Sequence, residues 1–346
     1  MADDGTSRRP TMRDVARAAG VSPTAVSFVL NERKDGRISA ATQAKVLEAA
    51  AQLGFRPNLT ARQLRLQQTH SIGMLTDGIA SSPFAGQIVR AVEDAARRSG
   101  RVLLLVNTRG DADLGGAAAR ELLDRRVDGL IFASTVTREI APLPELASVP
   151  SVLVNCFPAP GEPRIPSVRP AERFGGALAI RRLLAAGHRN IVALPGDGDW
   201  AAQERTTAFR KEMRAAGLAV RRGSIVPGPY TIDSGYDRAL ALLQAEDRPT
   251  ALLCGNDRIA LGALLAAQSQ GLDVPGDVSL VGYDDQEELA GSVRPALTTV
   301  RLPFYELGLK GADALLALIS GSSVPPRQDV HGELVERDSV AAPRSP

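Results

Sequence analysis

The sequence predicts an α/β chain in two parts: a small, basic, all-helical head, and a larger body of two successive βα halves built on parallel sheet. Three observations predict it. Residues 1–70 carry 11 Lys/Arg against 6 Asp/Glu, while the other 276 residues carry 30 against 33. Short helical patterns of small apolar residues fill the stretch 11–54. From Ser71 onward, near-continuous apolar runs alternate with amphipathic helical segments, the signature of parallel strands covered on both faces. At 346 residues, 44% of them hydrophobic, the chain is long enough for several cores.

The head predicts three helices. Thr11 is a good N-cap with Asp14 three residues on, a capping-box spacing. Val15, Ala16 and Ala19 give the first helix an apolar face, and Gly20 ends it. Ser22 caps a second helix and Pro23 fits its first position, where the missing N–H costs nothing. Val26, Val29 and Leu30 form its inner stripe, leaving Pro23, Thr24 and Ser27 outward. Phe28 has two readings: it faces outward with them, or it folds onto the head. Ser39 opens a third helix whose inner face is Val46, Ala49, Ala50 and Leu53, with Gly54 as the stop. Two helices joined by a tight turn, with a third packed across them, read as helix-turn-helix, whose second helix lies in the DNA major groove. A plain three-helix bundle that binds nothing is the competing reading. The basic balance of residues 1–70 favours a polyanion partner.

The segment RPNLTARQLR, 56–65, could make barely two turns after Asn58, too short a helix to hold in water unless it folds against something. Arg62, Gln63 and Arg65 make one side polar; Leu59, Ala61 and Leu64 are its apolar points. A leucine beside arginines suits a minor-groove wedge, while a linker whose Leu64 packs on the body is the alternative.

In the body, SIGMLT, RVLLLVN, DGLIFAS and VPSVLVN are the strands of a first half, with helices near 84–99 and 114–126. The rhythm restarts near Ala171 with NIVALPG, LAVRRGSIV, TALLCGN and VSLVGYD, and helices near 204–216, 233–243 and 258–270. Ligands gather at the carboxyl ends of such strands and between such halves. That places Asn155, Asn256, Asp257, Asp284, Asp285 and, at the start of a helix, Arg205 as candidates. Carboxylate, amide and guanidinium together suit a polyhydroxylated ligand. Asn256, Asp257 and Asp285 are equally well placed as helix caps.

MRDVARAAGVSPTAVSFVLN, ISAATQAKVLEAAAQLGFRPNLTARQL and ALLCGNDRIALGALLAAQSQGLDVPGDVSLVGYDD together resemble the LacI/GalR family of bacterial transcription repressors, over roughly residues 11–335. The resemblance implies a two-lobed, periplasmic-binding-protein-like body and a homodimer on near-palindromic operator DNA. It also implies a hinge helix that folds on DNA and inserts a leucine, here Leu64 with Ala61 beside it. The expected DNA-binding set is Thr11, Pro23, Thr24, Ser27, Phe28 and Asn31 in the head, Arg33, Lys34 and Arg37 in the following loop, and Asn58, Ala61, Arg62 and Leu64 in the hinge. The family commonly has arginine where this chain has Phe28, which can touch a thymine methyl but cannot donate to a base edge.

By motif, the family's effector arginine falls on Arg205, its effector aspartate on Asp284, its pocket asparagine on Asn256 and an aromatic pocket position on Tyr230. Ser82 and Phe84 fall where the first half reaches the ligand, and Asn155 completes the expected effector set. Where the family often has Asp-Asn before a Gly-Ala helix, this chain has Ala171-Glu172. The implied domains are a tail 1–10, the head 11–57, a hinge 58–70, the body 71–335 and a tail 336–346. The first lobe is expected at 71–160 plus 293–320 and the second at 161–292 plus 321–335.

Other classes fit less well. MADDGTSRRP is no secretory leader and no long apolar run follows, so the expectation is a cytoplasmic protein that spans no membrane. Cys156 and Cys254 make neither a disulfide framework nor a metal motif. His70, His188 and His331 are scattered, and no metalloprotease, phosphate-cradling or nucleophile-elbow motif appears, so neither enzyme nor cofactor is expected. A free solute-binding protein shares the body but leaves the basic head unexplained.

Overall fold

The computed structural model describes residues 10–30, 38–55, 69–79, 85–162, 164–286 and 289–344. They fall into two compact units divided between Thr69 and His70.

The first unit holds α1 (Met12–Ala19), α2 (Pro23–Leu30) and α3 (Ala40–Gln52). Their limits follow from the caps. The Asp14 carboxylate accepts from Thr11 N at 2.8 Å, the Ala25 amide donates to Ser22 Oγ at 3.1 Å, and the Thr42 amide donates to Ser39 Oγ at 3.2 Å. Gly20 closes α1 at φ 66°, a left-handed position that costs glycine nothing. Val15, Ala16, Val26, Val46, Ala49 and Ala50 form the core, with Val29 and Leu30 packed against it. Leu53, expected inside, is 38% exposed, because it is the C-cap of α3, where the inward-facing period ends.

In the second unit the chain runs β1 (Ser71–Thr76), α4 (Gly86–Arg98), β2 (Val102–Asn107), α5 (Ala112–Asp124), β3 (Leu130–Ile140), β4 (Ser151–Pro158) and β5 (Ser167–Pro170). It continues as α6 (Glu172–Ala185), β6 (Ile191–Leu194), α7 (Trp200–Ala215), α8 (Ile232–Leu243), β7 (Ala251–Cys254), α9 (Asp257–Ser269) and β8 (Ser279–Asp284). It ends with β9 (Thr298–Arg301), α10 (Phe304–Ile319), β10 (Arg327–Val330) and β11 (Glu333–Val335). Among the described residues, one sheet has the order β10-β5-β4-β3-β1-β2, all parallel; the other has β11-β9-β8-β7-β6, parallel except for the β11–β9 pair. Each sheet is the core of one lobe. Ile72, Met74, Ile131 and Val152 pack with Leu307 and Leu315 of α10 in the first. Leu252, Leu280, Ile259 and Leu264 lie together in the second.

Four expectations change. The strands β5 and β10 belong to the first lobe although 161–170 and 321–330 were assigned to the second, and β9 belongs to the second lobe although 293–301 was assigned to the first. The strand β10 pairs with β5 far away in sequence, which no local pattern reveals, while β5 and β9 extend the sheets of the strands just before them, β4 and β8, so each stretch of a lobe ends one strand later than expected. LAVRRGSIV contributes a single bridge, Ile225 to Ala193, rather than a strand. The stretch after 335 is no loose tail up to residue 341. Ser339 is fully buried and donates to Leu280 O at 2.6 Å, and His188 is bonded to Ala341 O at 2.9 Å. Arg205 lies in the second turn of α7, not at its start.

Helices α8 and α9 cross with backbones almost touching at Gly262. A Cβ there would sit 2.1 Å from Ile232 O and 2.5 Å from Tyr236 N, neither of which can swing away. Gly262→Ala is expected to lower stability by at least about 1–3 kcal/mol, as overpacking does. Urea midpoints of the two proteins measure it.

Candidate functional site

A cleft of about 120 Å3 opens between the carboxyl ends of the two sheets. The first lobe supplies Thr135, Val136 and Thr137 from the far end of β3, Asn155 from β4 and Phe304 from the start of α10. The second supplies Asp199 and Arg205 of the α7 region, Tyr230, Asn256, Arg258 and Asp284. The five described residues expected to bind effector, Asn155, Arg205, Tyr230, Asn256 and Asp284, thus share one cleft. Ser82 and Phe84 lie outside the described residues.

Arg205 of the cleft wall is anchored by an ion pair. Glu172, the first residue of α6, is buried; its carboxylate accepts from Arg205 Nε at 2.7 Å and Nη2 at 3.0 Å. Arg205 Nη1 donates to Gly255 O at 2.6 Å, and the guanidinium lies 3.6 Å over the Tyr283 ring. Tyr283 Oη in turn donates to Glu172 Oε2 at 3.0 Å. Burial lowers the proton affinity of Arg205, but the Glu172 carboxylate, Tyr283 and Tyr230 together more than offset this, so its pKa stays raised. Burial and then the Glu172 charge push Tyr283 up as well, keeping the phenol protonated to donate. Gly175 makes the arrangement possible, because a Cβ there would lie 2.1 Å from Tyr283 Oη. Across the cleft, Thr137 Oγ1 lies 2.7 Å from Asn155 Oδ1 and 3.3 Å from Glu172 Oε1, and Asn155 Nδ2 donates to Ser134 O at 2.8 Å. The network therefore reaches from one lobe to the other.

The neighbouring polar groups resolve the choice between capping and site. Asn256 is the cap of α9, its Oδ1 accepting from the Ile259 amide at 2.8 Å, and it lines the cleft too. Asp257 sits in the first turn, fully buried, and accepts from Thr299 Oγ1 at 2.7 Å and the Gln286 amide at 2.8 Å. Asp285 is held by Arg301 Nε at 2.7 Å and Arg337 Nη2 at 2.6 Å, so it neither caps a described helix nor lines the cleft. Burial pushes Asp257 up to about 8. Asp284, at the cleft wall, is pushed by burial up to about 7 against the pull of Arg205. Three residues here adopt positive φ: Asn155 at 56°, Asp284 at 99° and Asp285 at 54°. Such backbone is strained outside glycine and is held only where the surroundings fix it.

Sequence reasoning missed Glu172 as Arg205's partner, Asp199, Arg258, Thr135 and Thr137. The threonines lie beyond DGLIFAS, where β3 runs on after an irregularity between Ala133 and Arg138. Asp77 shapes that bend, accepting from Ser134 Oγ at 2.7 Å, Thr135 N at 2.7 Å and Arg138 Nη2 at 2.9 Å.

In the head, Pro23 and Thr24 of α2 are exposed, and Ser27 and Phe28 are half-buried. Val29 and Leu30 pack on the head's core. Thr11 Oγ1 donates to Asp14 Oδ2 at 2.6 Å, so it is engaged in capping. Asn31, Arg33, Lys34, Arg37, Asn58, Ala61, Arg62 and Leu64 lie outside the described residues. Among the described residues no group of three or more metal-ligating side chains occurs, and no helix is long and apolar enough to cross a membrane.

Glu172→Ala leaves Arg205 buried beside an empty site and is expected to cost about 3–5 kcal/mol, read by urea unfolding. Asp257 binds its proton more tightly folded than unfolded, so its contribution to stability is complete below the ordinary carboxyl value and is lost as pH rises through about 8. Thermal midpoints from pH 4 to 9 should therefore fall more steeply for the wild type than for Asp257→Asn.

A family profile described as "Bacterial regulatory proteins, lacI family" matches residues 11–58, and one described as "Periplasmic binding protein-like domain" matches 180–340. The ribose operon repressor of Escherichia coli strain K12 is 38% identical over 315 residues, covering 90% of this chain and 93% of that one. The HTH-type transcriptional repressor PurR of Vibrio vulnificus is 35% identical over 334 residues, covering 95% and 98%. Among solved structures, the lac repressor dimer bound to operator and the anti-inducer ONPF aligns with TM-score 0.81 and 31% identity, covering 97% of this chain and 100% of that one. With a helix-turn-helix head, a two-lobed α/β body and repressors as full-length relatives, the chain belongs to the LacI family of DNA-binding transcriptional repressors.

Proposed function

We propose that the protein represses transcription as a homodimer on a near-palindromic operator, and that a small polyhydroxylated effector, a sugar or sugar derivative, sets its operator affinity from the cleft. The observation that carries the reading is the cleft wall. Thr137 and Asn155 from one lobe face Arg205, Asn256, Arg258, Asp199 and Asp284 from the other, so a ligand with several hydroxyls can donate and accept on both sides. Tyr230 adds a ring face for the apolar side of such a ligand. Two likenesses support the reading: one relative is named for the ribose operon, and a solved complex of the regulator CelR with cellobiose aligns at 29% identity and TM-score 0.68.

An effector acts on DNA binding only through its differential affinity for two arrangements of the lobes. Paired heads gain operator affinity by effective concentration, so whatever uncouples them weakens binding without touching a base contact. On this reading α2 reads the major groove through Thr24, Ser27 and Phe28, the loop arginines and lysine contact phosphate, and the hinge segment with Leu64 enters the minor groove. The setting is the cytoplasm, with the nucleoid as the site of action. The second reading, a ligand-binding protein or an enzyme on this body, has the acidic groups of the cleft in its favour, and turnover of a bound ligand would support it.

Selection of duplexes from a random pool by the full-length protein should enrich a near-palindrome, and a sugar panel should contain a member that shifts its affinity. Retention of random duplex with no enriched sequence sinks the regulator reading. Phe28→Ala is expected to relax preference at one base pair per half-site, by about 1–3 kcal/mol, with other positions unchanged. Uniform weakening on all sequences would instead assign Phe28 to the fold of the head.

A further inference from the structure

A second cavity, of about 350 Å3, lies on the far side of Glu172 from the cleft. It is larger than the cleft, and Arg169, Arg173, Trp200, Glu204, Arg327 and Asp329 stand around it. We propose that this cavity is a binding site for a small oxyanion of the phosphate type, separate from the effector cleft.

Arg169 carries the argument. Its side chain is 8% exposed, and its guanidinium lies 4.2 Å from the centre of the Phe157 ring and 4.7 Å from that of Trp200. The two rings are themselves locked edge to face at 4.9 Å, so the guanidinium is held in place before any ligand arrives. Its Nε donates to Asp329 Oδ1 at 3.1 Å. Its Nη1 and Nη2 donate to nothing among the described residues. Neither Nη is sealed from solvent, so both are open to the cavity and available to a ligand's acceptors.

The charge balance points the same way. Asp329 must serve Arg327 as well, which donates from Nε at 2.8 Å, while Arg173 is matched to Glu204 at 2.7 Å. Glu172 is spent on Arg205. Three guanidiniums thus share two carboxylates, and one positive charge is left over beside a cavity. Both acids are already held by arginine, so an entering anion meets donors first. Phosphate oxygens accept two parallel N–H bonds from a guanidinium fork, and a prefixed arginine with both Nη groups free offers that geometry. Arg173 and Arg327 are more than half exposed and can close over the anion from the rim. Burial, and next the neighbouring Arg327 charge after the help from Asp329, work against the charge on Arg169, and an anion would relieve both.

Trp200 is the chain's single tryptophan, so its fluorescence reports on this cavity directly. The full-length protein would be titrated with inorganic phosphate at constant ionic strength, with sodium chloride balancing each addition and sodium acetate as the carboxylate arm. A saturable change in Trp200 emission with phosphate, absent with chloride, is expected. A matching response to acetate at equal concentration would overturn the phosphate assignment. Arg169→Gln should weaken the phosphate response about tenfold or more, the loss of a bidentate charge-assisted contact. Arg327→Gln, at the exposed rim, should weaken it several-fold and serves where Arg169→Gln does not fold. No saturable response in the wild type, or a wild-type response in either folded variant, overturns the proposal.

Discussion

The body is organised around the ion pair between Glu172 and Arg205. Glu172 begins α6 immediately after the chain leaves the first sheet at β5, so its carboxylate stands where the two lobes join and benefits from the positive end of a helix. Arg205 comes from the second turn of α7, and Tyr283 from the last turn of sheet before the strained Asp284. Each component needs the others. Without Glu172 the guanidinium would be a buried lone cation; without Gly175 the Tyr283 hydroxyl would have no room; without Thr137 and Asn155 the carboxylate would face the first lobe unsupported. A charge pair in such a place is weak as a source of net stability, because desolvation opposes it. Its value lies in fixing where the cleft's donors and acceptors point.

That pair also shapes what the cleft can recognise. The Arg205 fork is turned toward Glu172 and the Gly255 carbonyl, so the charge that a ligand meets is already neutralised. On the proposed reading, recognition then rests on hydrogen bonds from many groups rather than on the Arg205 charge alone. This suits hydroxyl-rich molecules, which present directional donors and acceptors without a net charge.

How far the sequence could be read depended on how local each feature is. The caps Ser22 and Ser39, the stop at Gly20 and the stripe of Val26, Val29 and Leu30 are decided within one turn of helix, and the head follows from them. Asn155, Arg205, Asn256 and Asp284 could be picked out because strand ends in α/β folds converge. Glu172 could not, since an acid at a helix start reads as an ordinary dipole complement until Arg205 is seen beside it. Arg169 is one of four residues in a short strand whose partner, Asp329, lies 160 positions away. The assignment of β10 failed for the same reason, since pairing at that distance leaves no mark on neighbouring residues, whereas β5 and β9 continue the sheets of β4 and β8 past the expected boundaries. The run LAVRRGSIV shows the opposite error, an alternating pattern that touches the edge strand β6 at one bridge only.

The chain passes between the lobes three times: from β5 to α6, from β9 to α10, and from β10 to β11. Neither lobe is therefore a continuous stretch of the gene. A single recombination point can exchange the head, whose residues are contiguous, and leave the rest intact. No single point can exchange one lobe without splitting a sheet. Evolution of such a protein can therefore pair one head with another whole body, whereas the two halves of the cleft are inherited together.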